Sequence, residues 1–259
     1  MTQALNFLTF GEATQHPTLI IVHGLFGSGR NWRAIAKRLS ADRQVICVDM
    51  RNHAGSFWHK DHSYPDLADD LAHTLSQIAG PVDVLGHSMG GKAAMVLALR
   101  NPPNMNRLIV ADIAPVTYSH TQITNIRIMQ DLDISTLTRR SEADKILSNH
   151  ISDVPTRAFL VQSLELSENG NRWTLNLDAL ADNMNAIMGF PDVFGTFENK
   201  TLFIKGGLSG YISPQHMPKI KSLFPNSGVQ DVAGAGHWVH AEAPRPFIEV
   251  ITDFLNNDI

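Results

Sequence analysis

The sequence predicts an α/β protein, with a mostly parallel sheet, helices on both of its faces, and a block of helices inserted late in the strand order. Two observations carry this. Short apolar, β-branched runs recur along the 259 residues, each followed by a turn and then a stretch with helical spacing, the pattern of a sheet covered by helices. From Thr117 to Pro191 that rhythm stops and only helical spacing remains. The composition, 43% hydrophobic and 18% charged, is that of a globular chain long enough to bury one large core.

The elements follow in order. Residues 18–22 form a strand ending at His23-Gly24, and residues 31–39 a helix, because Trp32, Ile35, Ala36 and Leu39 share one face. A strand at 44–48 precedes a helix at 64–78 with Leu67, Leu71, Leu75 and Ile78 inward. The buried strand 82–85 runs into Gly86-His87-Ser88-Met89-Gly90-Gly91, and the helix 92–99 is stopped by Pro102 and Pro103. Strands at 108–111, 201–204 and 229–232 and a terminal helix at 246–255 complete the core, while 123–132, 142–151 and 177–187 read as helices. The expected division is a core of residues 1–116 and 192–259 with a helical cap at 117–191.

A formal charge of −4 offers no basic face for nucleic acid or anionic lipid. Met1 to Phe10 lacks a cationic start followed by an apolar run, and no segment is long enough to span a bilayer. The single cysteine, Cys47, lies in an apolar run, where a thiol packs as a small hydrophobe in a reducing compartment. A cytoplasmic protein, monomeric or weakly dimeric, without nucleic-acid or membrane partners, is expected.

The chemistry concentrates in three places. Gly86-x-Ser88-x-Gly90, directly after a buried strand and before a helix, has the form of a nucleophile elbow, the sharp turn that lifts a serine hydroxyl clear of the backbone in α/β-hydrolases. A chemically silent turn or a phosphate-binding turn would need neither the central serine nor its partners. His23-Gly24-Leu25 ends an earlier strand of the same sheet, so the amides of Leu25 and Met89 are candidates for an oxyanion hole, against the plainer reading of 24–29 as a flexible loop. Near the end, Gly234-Ala235-Gly236-His237-Trp238 lets small residues carry His237 toward Ser88 as general base. His240 is the nearby competitor, expected to face the terminal helix.

The carboxylate of such a triad is usually placed after the penultimate strand, yet Lys205-Gly206-Gly207-Leu208-Ser209-Gly210-Tyr211 holds no acid. Asp112, at the end of the strand after the elbow, is the first candidate, with a turn or capping role as the alternative. Asp178, in a region reading as a helix start, is the reserve. Ser209 occupies the vacated place and could bond to either His237 or Asp112.

These stretches, with Asp49-Met50-Arg51-Asn52-His53, Asp112-Ile113-Ala114-Pro115 and Trp238-Val239-His240, together resemble the YbfF-type bacterial carboxylesterases of the α/β-hydrolase superfamily nearly end to end. The Asp49 to His53 run and the Trp238-Val239-His240 tail are the more specific parts. The resemblance implies a cofactor-free esterase acting on short acyl esters, with acyl-coenzyme A thioesters as a second class, under a helical cap. It also implies that Ser88, His237 and Asp112 match the catalytic positions, with Ser209 beside them. One departure stands at His53-Ala54-Gly55, where the family usually has glycine directly after the histidine.

A carbon-carbon hydrolase or an acyltransferase could use the same residues, and a ligand-sensing protein could keep them while turning over slowly. Dehalogenases and epoxide hydrolases put aspartate at the elbow and are disfavoured. His59, Asp61 and His62 are close enough in sequence to suggest zinc, but they lack a fixed fourth ligand and read as solvated surface, so no metal is expected.

Overall fold

A computed structural model describes residues 3–256; the first two residues of the stretch read for a leader lie outside them. Seven strands form one sheet in the order β1-β3-β2-β4-β5-β8-β9, comprising β1 (Phe7–Phe10), β2 (Thr18–Val22), β3 (Val45–Val48), β4 (Val82–His87), β5 (Met105–Ala111), β8 (Thr201–Gly206) and β9 (Ser227–Val232). All neighbours are parallel except β1 with β3. The register pairs Val22 with Gly86, His87 with Ala111, and Ala111 with Ile204, which brings His23, Ser88, Asp112 and the end of β8 to one sheet edge. β1, the antiparallel edge strand, is absent from the sequence expectation because its four residues alternate only between exposed and half-buried, too short and too open a pattern to separate from a loop.

Both faces of the sheet are covered, so the central strands are apolar on both sides. Leu19 and Ile21 pack with Trp32, Ile35, Phe247 and Ile251, under α1 (Arg33–Leu39) and α11 (Pro244–Asn256). Ile20 and Val22 pack on the other face with Leu67, Leu71 and Met95, under α2 (Tyr64–Ser76) and α3 (Met89–Leu99). Each aliphatic side chain buried this way contributes roughly 1.5–3 kcal/mol. Cys47 is buried between strand neighbours, and burial pushes its thiol up to about 12.

Between β5 and β8 the chain forms α4 (Ile123–Asp131), α5 (Arg140–Leu147), α6 (Val154–Leu160), the short hairpin of β6 (Leu164–Glu165) and β7 (Arg172–Trp173), α7 (Leu177–Asp182) and α8 (Met184–Met188). The helix expected over 177–187 is thus two helices, broken at Asn183, whose side chain donates to the Lys60 and Ala179 carbonyls. α6 and the hairpin were not foreseen. Beyond β8, α9 (Met217–Leu223) is also additional, and α10 (Val239–Glu242) precedes the terminal helix. Among the described residues no helix is long and apolar enough to cross a membrane.

Candidate active site

β4 ends at His87, α3 begins at Met89, and Ser88 between them takes φ 53° and ψ −120°, a conformation costing a serine roughly 1–3 kcal/mol. The helix therefore starts three residues earlier than its periodicity predicts, because the turn is a single residue. Its neighbours hold it there: Ser88 N–H donates to Ala111 O (3.1 Å) and Lys92 N–H to Ser88 O (3.0 Å). The flanking glycines are required by space. A Cβ on Gly86 would strike the Gly90 carbonyl, and one on Gly90 the carbonyls of Val22 and His23.

Asp112 follows β5 with φ 51° and is fully buried. Its N–H donates to Ile204 O (2.8 Å), and its Oδ1 accepts Gly206 N–H (3.0 Å). Its Oδ2 accepts both His237 Nδ1–H (2.8 Å) and the Ser209 hydroxyl (2.5 Å). A proton on Nδ1 leaves Nε2 as acceptor, and Ser88 Oγ–H donates to it at 3.0 Å. Ser209 thus bonds to Asp112 rather than to His237, while its own oxygen accepts Tyr211 N–H (3.2 Å).

Two supports escaped the sequence reading. The Tyr211 ring stacks on His237 at 4.0 Å and 20°, and His87 Nε2–H donates to the His237 carbonyl at 2.9 Å. Neither residue carries a local signal that it reaches His237; adjacency of Tyr211 to Ser209 and of His87 to Ser88 is the only hint.

The loop after β2 passes close to the serine. A Cβ on Gly24 would lie 2.9 Å from His87 Nδ1 and 3.1 Å from Ser88 Cβ. Among the described residues no backbone acceptor takes the Leu25 N–H, and the Met89 N–H opens α3, where no intrahelical carbonyl can reach it and the helix dipole is positive. Ser88 and His237 open into a cavity of about 210 Å³ whose wall includes Phe26, Phe159, Leu160, Met188 and Trp238. Lys92 also lines it; burial lowers its ammonium to about 7. It donates to the carbonyls of Met188 (2.9 Å) and Gly189 (2.5 Å) and sits 4.8 Å from the Tyr118 ring centre.

The competitors are engaged with other partners. Asp178 is exposed in the first turn of α7 and accepts from Gln130 Nε2 (2.5 Å). His240 stacks on Trp32 at 4.1 Å and reaches Phe247 of the terminal helix only at 6.3 Å. His59 and Asp61 are exposed, but His62, expected at the surface, is buried against Asn52 Nδ2 and Met89 Sδ. Among the described residues no group of three histidine, cysteine, aspartate or glutamate side chains is placed to hold a metal ion. Ala54, at the departure from the family pattern, has φ 47°, a backbone that favours the glycine usual there.

The model of the alpha/beta hydrolase fold family matches residues 17–244. A mouse (Mus musculus) protein named as an sn-1-specific diacylglycerol lipase is 41% identical over 254 residues, covering 95% of this chain and 82% of its own. The Escherichia coli esterase YbfF is 36% identical over 260 residues, covering 98% and 99%. A solved structure titled as a marine microorganism esterase superposes with a TM-score of 0.92 at 38% identity, over 97% of this chain and 99% of the other.

Proposed function

The chain belongs to the α/β-hydrolase family and is a serine hydrolase, and on that premise we propose that it hydrolyses acyl esters, with acyl thioesters as a second substrate class, through an acyl-enzyme on Ser88. The observation that carries this reading is the continuous hydrogen-bonded line from Ser88 Oγ to His237 Nε2 (3.0 Å) and from His237 Nδ1 to Asp112 Oδ2 (2.8 Å), opening on a largely apolar cavity.

Each residue has one task. As Ser88 Oγ attacks the acyl carbon, His237 Nε2 takes its proton and then gives it to the departing alkoxide or thiolate. Asp112 fixes the tautomer and stabilises the imidazolium, and Ser209 holds the Asp112 carboxylate. The Leu25 and Met89 amides receive the developing oxyanion. Water, activated by the same imidazole, releases the acid. Residues 117–191 act as a cap that sets acyl length, since Phe159, Leu160 and Met188 supply much of the apolar wall. With one free, buried cysteine, the protein suits a reducing compartment such as the cytoplasm.

The test is a panel of acyl esters and acyl-coenzyme A thioesters of graded length, run alongside a fluorophosphonate probe. The protein should label at Ser88, and Ser88→Ala should abolish labelling and lower turnover on the order of 10⁶-fold. Esterase activity surviving in Ser88→Ala would end this reading.

A further inference from the structure

The stretch from Asp49 to Ser56 is among the most distinctive in the sequence, yet none of its side chains takes part in the chemistry above. It grips the loop after β2 at three points. Met50 N–H donates to His23 Nε2 (2.9 Å), Phe26 N–H donates to His53 Nε2 (3.2 Å), and Gly29 N–H donates to Asp49 Oδ1 (2.7 Å). The start, middle and end of the loop that carries Leu25 are therefore bonded to one short segment. Phe26 itself stands at φ 65°, a left-handed conformation that a phenylalanine keeps only when its surroundings impose it.

The chemistry of the middle contact is specific. His53 is fully buried, and its Nδ1–H donates to Arg51 O (2.9 Å). That fixes the tautomer and leaves Nε2 as a lone-pair acceptor for Phe26 N–H. Burial, with His23 and His62 nearby, holds the ring well below the ordinary histidine range, so it stays a neutral acceptor at working pH.

On its other side the same segment is bonded to the insert. Ala54 N–H donates to Thr174 O (2.7 Å), Asn176 N–H to Asn52 O (3.0 Å), and Asn176 Nδ2 to Asn52 Oδ1 (3.0 Å). A continuous set of contacts thus runs from the segment between β7 and α7, through the turn at 52–54, to the amide next to Leu25.

We propose, resting on the serine-esterase reading, that His53 is a positioning residue: through the Phe26 amide it places the oxyanion loop, and through the Asn52 and Asn176 contacts that placement depends on how the insert is docked. A buried histidine serving only to fill the core would not couple these two regions, and the difference is measurable.

His53→Leu keeps bulk and removes the acceptor. It should lower kcat about 10²-fold, the scale of a misplacement of about 1 Å at the reacting atoms, with KM changed less than about threefold. Phosphonylation of Ser88 by a fluorophosphonate should slow in parallel, because its tetrahedral phosphorus also places an oxygen against the Leu25 and Met89 amides. His53→Gln, whose amide can accept from Phe26 N–H and donate to Arg51 O, should recover at least about tenfold of that loss.

Asn176→Ala, made in the insert, should lower kcat between about three- and thirtyfold, and should have almost no further effect when His53 is already leucine. Equal phosphonylation rates in the parent and His53→Leu would overturn the proposal, as would a loss carried by KM alone, glutamine no better than leucine, or additive effects of the two sites. If His53→Leu does not fold, the glutamine and Asn176 variants decide: unchanged kcat in Asn176→Ala overturns the coupling. A parent protein that fails to label at Ser88 would instead sink the esterase reading itself, so the two failures are told apart.

Discussion

Ser88 and His237 meet across 3.0 Å, but the two sides of that contact are built by different means. The serine is held by its own chain: a strand, one residue of left-handed backbone, and a helix in which every residue is buried. The histidine lies on a loop, about a quarter exposed, and its orientation comes from side chains of three remote stretches, namely Asp112, Tyr211 and His87. A catalytic group placed by backbone geometry leaves its mark in five consecutive residues. One placed by tertiary contacts can be marked by its own loop, as His237 is, but its supports are not, and they can be removed one at a time.

The comparison breaks most sharply at the carboxylate. Asp112→Asn should lower turnover up to about 10⁴-fold, the scale reached when the imidazole of a triad takes the wrong tautomer. Asp178→Asn should remain near the parent. Both are read against matched melting temperatures, since Asp112 also bonds Gly206 N–H; the reverse ranking would move the acid into the insert. Ser209→Ala is milder. It deletes one hydroxyl from a carboxylate that keeps its other partners, costing about 1–2 kcal/mol, so kcat should fall between about five- and thirtyfold while KM holds. A loss as large as that of Asp112→Asn would mean that Asp112 orients the histidine only while the Ser209 hydroxyl holds it.

The smallest effect lies on the serine side, in backbone alone. Ala54 pays for φ 47° about 1–2 kcal/mol, partly offset in any glycine variant by a freer unfolded chain. Ala54→Gly should therefore stabilise the protein by up to about 1 kcal/mol, seen as a melting temperature raised by about 2–4 °C. An unchanged or lower melting temperature would show that the turn carries no such strain.

The same contrast explains what could be read in advance. The central strands, their order along the chain and the elbow followed from residue pattern, because each depends on neighbours in sequence. From the residues themselves, Asp112 could be named because the loop after 201–204 holds no acid and β5 lies next to β4 in a parallel sheet, a one-step topological argument. The bond from Ser209 to Asp112, the Tyr211 ring over His237 and the burial of His62 depend on loops meeting from distant parts of the chain, and periodicity says nothing of those. β1 escaped for the opposite reason: four residues at an open edge bury too little to impose a pattern.

Five of the twelve histidines, His23, His53, His62, His87 and His240, are buried around this site, and burial is the main cause that pulls each below the ordinary value of 6.5, His62 and His240 to about 3. The unfolded chain takes up protons on all five as pH drops through about 6.5, whereas the folded chain binds them only at lower pH, so acid favours unfolding. A group whose folded value lies well below 6.5 contributes up to about 1.4 kcal/mol per pH unit, a sizeable share of a total stability of about 5–15 kcal/mol. Cooperative loss of structure is expected within about two units below pH 6.5, followed by circular dichroism or tryptophan fluorescence, and His62→Gln should shift that midpoint to lower pH. A fold unchanged at pH 4 would contradict it. If that midpoint is found, the rings that brace the edge holding Ser88 and His237 at neutral pH are also what ties the fold to surroundings near neutrality.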